Sequence, residues 1–407
     1  MNFLFAWRYF KAKKSTNAIN VIAWVSVIAI TLITAAFIVL LSVFNGFEGL
    51  VKSLYSSFYP SLRVGPEMGK LIRISPEQFA KLDSIKSIRA WSTVIEEKAL
   101  VQNGDIQTIV YLKGVDENYE DVTDVPNKMI RGKFSIGDAD TAGIILGAGI
   151  ENAVAVDVER TAFPLTVYLF RRGININVID PYQSFSADNV YASGTFFIQQ
   201  DIDNKYAITN IGFMKRMMGL KEDEYGSIEI GLNEDVNPER VKDQLQQIFP
   251  KGYVVETRYE QNKSLYSVMR LEKWAIYGIL TLMLIVAAFT MIGALTMLVL
   301  EKQKDIQVLK AMGANRGLIQ KIFLSEGFLL AGIGAVSGII LGGLICWAQV
   351  QFKLIRIQGG TFLIDYYPVK VVPSDFLLVA ATVTIVAVIA SWFPSKKGAM
   401  QPIELKS

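Results

Sequence analysis

The sequence predicts an α-helical membrane protein with four transmembrane helices and one large mixed α/β domain outside the membrane. Three observations predict it. The chain has 407 residues, 51% of them hydrophobic and only 19% charged, where a soluble domain carries about 25% charge. The deficit is concentrated in residues 20–44, 274–300, 322–350 and 376–393. Between the first two stretches lies a long segment punctuated by capped helix starts and strand-like runs.

Each of the four stretches is long enough to cross a bilayer core, which takes about 20 apolar residues. The first, second and fourth contain no Asp, Glu, Lys or Arg, and the third contains only Glu326. A helix satisfies its own backbone in lipid, so all four read as spans. The first follows a basic N-terminus, but its apolar run is too long for a signal peptide and no small-residue cleavage site follows, so an uncleaved anchor is expected. Lys and Arg set the orientation. Arg8, Lys11, Lys13 and Lys14 precede the first span; Lys302, Lys304, Lys310, Arg316 and Lys321 link the second and third; Lys396, Lys397 and Lys406 follow the fourth. The opposite short loop holds Lys353, Arg356 and Lys370. Both termini and the 301–321 link are therefore expected in the cytoplasm.

The expected division is 1–45 for the N-terminus and first span, 46–270 for the external domain, and 271–407 for the remaining spans, link and tail. In the domain, Ser75-Pro76-Glu77 and Asn237-Pro238-Glu239 read as capped helix starts with proline in the first turn. Extended runs are expected at 88–94, 98–101, 106–115, 227–232 and 253–257. The capped units at the two ends suggest a split α/β module, with a β-rich insert at about 116–225. Within the insert, a polar run between two alternating stretches predicts a projecting loop over 171–188.

Several chemistries are excluded. There is no histidine, and the only cysteine, Cys346, lies inside the third span. Histidine triads, zinc centres and a disulfide framework are therefore absent. GPEMGKL at 65–71 has the wrong glycine spacing for a phosphate loop and Leu71 where Ser or Thr would hold magnesium; GAGIEN at 147–152 lacks the third glycine of a dinucleotide fingerprint. No mid-membrane charge marks a proton or sodium path. The energy for any work must come from a partner.

EKQKDIQVLKAMGANRGLIQKIFLSEG, at 301–327, is a charged island between two apolar spans. No breaker interrupts residues 274–312, which predicts one rod of about 58 Å at about 1.5 Å per residue. Gly313 is a natural stop and Asn315 a cap for the next helix. Ile306, Leu309 and Met312 are expected on one apolar face, suited to docking. Gly334, Gly338 and Gly342 form a close-packing stripe within the subunit.

This link resembles the cytoplasmic link of FtsX- and MacB-like ABC permeases. SVFNGFEGL at 42–50, YLKGVDENYE at 111–120, AGIILGAGIENAVAV at 142–156 and GTFFIQQDIDNKYAI at 194–208 narrow the resemblance to the lipoprotein-releasing permeases LolC and LolE, and it spans nearly the whole chain. It implies a periplasmic domain of MacB type in the inner membrane of a diderm bacterium. It also implies a LolD-like ATPase dimer that holds the ATP and magnesium, with no cofactor or metal on this chain and no catalysis by it. The other implied partners are a second permease subunit, identical or homologous, a LolA-like periplasmic carrier, a triacylated lipoprotein and membrane lipids, but no nucleic acid. The coupling residues are then Ile306, Leu309, Lys310, Met312, Gly313 and Ala314. The carrier loop holds Arg171, Arg172, Asp180, Pro181, Tyr182 and Phe185. A lipid cleft between the outer halves of spans one and two of two subunits uses Phe37, Phe44 and Phe47. Two rival readings are a MacB-like efflux permease and an FtsX-like permease that transmits motion to a periplasmic hydrolase.

Overall fold

A computed structural model describes residues 17–160, 163–171, 185–357 and 366–400. The chain divides into two units. One comprises Val51–Tyr266; the other is built from residues up to Leu50 and from Ser267 onward. The longer helices are numbered α1 (Asn17–Phe58), α2 (Pro76–Asp83), α3 (Ile211–Met218), α4 (Pro238–Ile248), α5 (Lys263–Glu301), α6 (Gln303–Ala311), α7 (Arg316–Phe352) and α8 (Pro373–Ala399).

The α/β unit is organised by one long sheet. Its strands are β1 (Leu62–Pro66), β3 (Ile88–Asn103), β4 (Ile106–Val115), β5 (Met129–Gly132), β6 (Gly143–Gly147), β7 (Leu165–Phe170), β8 (Phe185–Phe196), β9 (Tyr206–Asn210), β11 (Ser227–Leu232) and β12 (Tyr253–Thr257); β2 (Ile72–Arg73) and β10 (Glu224–Tyr225) form a separate pair. At one end, α2 and α4 cover β1, β11 and β12, burying Leu62, Val64, Leu82, Ile230, Val241 and Leu245 together. Both helices start as the residue types dictate: Ser75 and Gln78 form a reciprocal capping box, and the Asn237 side chain accepts from the Glu239 N–H. The two ends of the segment thus share one core.

The other half of the sheet closes on itself. β3 pairs β4, β4 pairs β9, β9 pairs β6, β6 pairs β8, β8 pairs β7, and β7 returns to β3. Alternate residues point into this barrel, where Ala99, Val101, Leu112, Ile144, Leu146 and Val167 are buried with Phe213 and Met214 of α3. Closure leaves this ring without a free edge, while β12 and β5 end the sheet. Sequence periodicity divides β3 into two runs, whereas the structure shows one strand of 16 residues. Its first half pairs with β11 and its second half with β7, so it belongs to both cores. The apparent break is Glu96-Glu97, and Glu97 pairs with Lys70 at 2.7 Å on the exposed face.

Near the barrel, Gly147 leaves no room for a Cβ beside the Asp203 backbone. The GAGIEN run is the end of β6 and the start of a short helix, Ala148–Ala153. Asp203 itself is 2% exposed, and its Oδ1 accepts from the Ile198 N–H at 2.9 Å. Burial outweighs the Ile198 and Gln199 N–H groups and pushes its carboxyl up from 3.8 to about 6. The neutral acid is therefore the form the fold favours. Its contribution to stability is full below pH 3.8 and fades as pH rises to about 6. Asp203→Asn keeps the Oδ1 acceptor and removes the buried charge. It is expected to raise stability above pH 6 by on the order of 2 kcal/mol and to flatten that part of the pH profile. Thermal unfolding between pH 4 and 8 checks this; a profile identical to that of the parent refutes it.

In the helical unit, α1, α5, α7 and α8 are each long and apolar enough to cross a membrane. Their shared core contains Val27, Ile30, Phe37, Ile38, Leu284, Met291, Leu330 and Val383. The glycine stripe of α7 packs on α1. A Cβ at Gly334 would lie 2.8 Å from Ile30 Cγ2, one at Gly338 would lie 2.6 Å from the Thr31 carbonyl oxygen, and one at Gly342 would lie 2.9 Å from the Ala35 carbonyl oxygen. The stripe brings two backbones together within one chain, as its spacing suggests. Hydroxyls inside the helices bond to the preceding turn, as Ser391 does to the Ala387 carbonyl and Ser395 to the Ser391 carbonyl around Pro394. Those bonds satisfy polar groups where a membrane offers no water. Glu326 is 1% exposed, enclosed by the bundle instead of lying at its surface.

Candidate functional site

The link between α5 and α7 is a folded elbow. The expected unbroken rod over 274–312 is not what forms: α5 ends at Glu301, Lys302 leaves helical geometry (φ −88°, ψ 15°), and α6 follows. No glycine or proline marks that place, so periodicity cannot show it. The turn is imposed by packing, because α6 lays Ile306 against Leu298, Val299, Ile319 and Phe323. The helix stops where the sequence says. Gly313 has φ +93°, and Asn315 accepts from the Leu318 N–H at 2.8 Å.

This packing separates residues that the sequence grouped. Ile306 is 2% exposed and Met312 is 80% exposed. Six positions along a helix turn about 240°, so the two cannot share a face. Leu309 and Lys310 are half-buried, and Ala314 packs beside Ile306. The exposed apolar pair is Met312 with Val308, which is 59% exposed and four residues earlier. Val308 was missed because its neighbours in sequence are polar or inward-facing.

Of the residues expected to form a carrier loop, Arg171 follows β7, and Phe185 opens β8 with its ring 5.6 Å from Phe170. Arg172, Asp180, Pro181 and Tyr182 lie outside the described residues. Ser186, Ala187 and Asp188, expected within the loop, are strand residues of β8 paired with Leu169, Tyr168 and Val167. Among the aromatics expected in a lipid cleft, Phe37 is fully buried with its ring 5.7 Å from Tyr277. It fills the bundle core and does not line an open cleft in this chain. Phe44 is half-buried, and so is Phe47, whose ring lies 5.7 Å from Tyr367.

Two polar centres escaped the sequence reading. In the α/β unit, Lys113 of β4 and Glu229 of β11 are 2% and 4% exposed and pair at 2.8 Å. Burial alone would lower the lysine, but Glu229, with Tyr119 and Glu96, holds it above the ordinary range. Its ammonium lies 4.7 Å from the Phe58 ring and 5.1 Å from that of Tyr119. Burial pushes the Tyr119 phenol up to about 12. The available signal was a lone lysine in IVYLKGV and a lone glutamate in SIEIGL. In the helical unit, Asn45 meets Lys273 and Asp375. Among the described residues, no group of three or more His, Cys, Asp or Glu could hold a metal ion.

Two family models cover most of the chain. Residues 23–248 match the MacB-like periplasmic core domain and residues 277–403 match the FtsX-like permease C-terminal model. The chain is 27% identical to the lipoprotein-releasing system transmembrane protein LolC of Neisseria meningitidis serogroup B, over 98% of both chains. It is 23% identical to the lipoprotein-releasing system transmembrane protein LolE of Haemophilus influenzae, over 100% of this chain and 99% of that one. Among solved structures it is similar to the periplasmic region of MacB from Actinobacillus actinomycetemcomitans, at 12% identity and a TM-score of 0.37, over 54% of this chain and 98% of that one. The fold assignment rests on the family models and the elements described above. The chain belongs to the permease family built from a MacB-like periplasmic core domain and an FtsX-like permease C-terminal region.

Proposed function

We propose that this chain is the permease subunit of an ABC transporter that extracts triacylated lipoproteins from the outer leaflet of the inner membrane. It passes them to a LolA-like periplasmic carrier, and a separate LolD-like ATPase supplies the energy. The observation that carries this reading is similarity over almost the full length, α/β domain and spans together, to relatives named for lipoprotein release. The elbow supports an ATPase dock, because it exposes Val308 and Met312 on a helix braced from behind by Ile306. For the carrier role, the segment that follows β7 and precedes β8 is framed by six paired positions, from Leu165 with Val190 to Phe170 with Phe185. In this reading the termini and elbow face the cytoplasm and residues 51–266 face the periplasm.

The test is depletion of the chain followed by membrane fractionation. Lipoproteins destined for the outer membrane are expected to accumulate in the inner membrane and to be released again on re-expression. Normal sorting with loss of drug efflux, or of cell-wall hydrolase activity, would replace this reading with one of its two rivals.

A further inference from the structure

SVFNGFEGL contains the last turn of the first apolar run, and the geometry gives each of its central residues a task. Asn45 is 7% exposed and uses both ends of its amide. Its Nδ2 donates to Asp375 Oδ2 at 2.6 Å, and its Oδ1 accepts from Lys273 Nζ at 2.8 Å. Lys273 and Asp375 also approach each other at 3.7 Å. The three residues sit on α1, α5 and α8. Gly46 lies so close to the Pro368 carbonyl that a Cβ would overlap it. Lys370 donates its backbone N–H to the Ser42 carbonyl at 2.9 Å.

The charges do not need the asparagine for neutralisation, since lysine and aspartate already face each other. What the amide adds is α1. Without it the ion pair would join only α5 to α8. Hydrogen bonds to ionised partners are the strong ones, and more so away from water. An amide offers its donor and its acceptor on two separate atoms, one for the carboxylate and one for the ammonium. We propose that Asn45 is a positioning residue for transport: its amide clamps α1 to α5 and α8 at the end of the bundle opposite the elbow, and the gap between α1 and α5 opens there only when the clamp releases. The proposal rests on the transport reading for its consequence, but the clamp itself can be tested without it.

An amide can present its two ends to swapped charges by flipping, and this gives a specific test. The complex of the full chain with its ATPase is placed in lipid nanodiscs in a Cys346→Ser background. Spin labels replace Leu40 and Trp274, both exposed on the helical unit. Asn45→Leu is expected to lengthen or broaden the label distance in the resting state and to lower lipoprotein release per ATP by about tenfold. The swap Lys273→Asp with Asp375→Lys should restore the parental distance when Asn45 is present and not when it is leucine. An unchanged distance in Asn45→Leu overturns the clamp, and so does a swap that behaves alike with and without the asparagine. A distance that responds as expected while the parental complex releases no lipoprotein upholds the clamp and removes the transport reading.

Discussion

Lys113→Ala is expected to destabilise the α/β unit by about 3–5 kcal/mol, the usual cost of breaking a buried pair from one side. The cause is the charge left behind. Glu229 is 4% exposed, and the ammonium at 2.8 Å is its counter-ion. The substitution also removes the cation from the Phe58 and Tyr119 rings. Removing both charges should behave differently. Lys113→Met with Glu229→Leu fills similar volume and leaves no unpaired ion, so it should be neutral or stabilising by about 1–4 kcal/mol. Hydrogen exchange of the β4 and β11 amides in the full chain measures both. About two to three and a half powers of ten faster exchange is expected for the single variant, at about 1.4 kcal/mol per tenfold. Exchange that is equally fast in the single and the double variant would show that lysine packing, not charge pairing, sets the stability.

That pair also shows where sequence reading stops. Apolar length gave the four membrane helices, and turn chemistry gave the starts of α2 and α4, because a capped terminus is satisfied by residues within one turn of it. The Gly313 stop and the Asn315 cap were legible for the same reason. Features made by distant residues were not. Lys113 and Glu229 are separated by 116 positions, and Asn45 and Asp375 by 330. Barrel closure depends on β7 returning to β3, which no local period encodes. The bend at Lys302 is likewise a tertiary effect. Ile306 and Met312 part for a local reason: steps of three residues drift around a helix of about 3.6 per turn.

The corrected elbow sharpens the most functional prediction. If α6 is the ATPase dock, Met312→Asp should release the ATPase while the permease still folds, because Met312 is 80% exposed and supports nothing inside the chain. Burying a side chain of this size is worth about 1.5–3 kcal/mol, or roughly 10–150-fold in affinity; placing a carboxylate there adds a desolvation cost. Val308→Asp should act in the same way. Lys310→Ala should do little by comparison, since exposed ion pairs contribute about 0–1 kcal/mol. Ile306→Asp should fail for another reason, because it puts a charge into the cluster with Ile319 and Phe323 and unfolds the elbow itself. Gly313→Val should strain a backbone held at φ +93° without touching any other part of the chain, since nothing beyond its own neighbours lies within 4 Å of its Cβ position. It is expected to keep ATPase binding and lose coupling. Co-purification of the ATPase with each variant, protease protection of the elbow and lipoprotein release from membranes separate these outcomes. Full ATPase binding by both Met312→Asp and Val308→Asp would move the dock away from α6, leaving the elbow as a packed turn between two membrane helices.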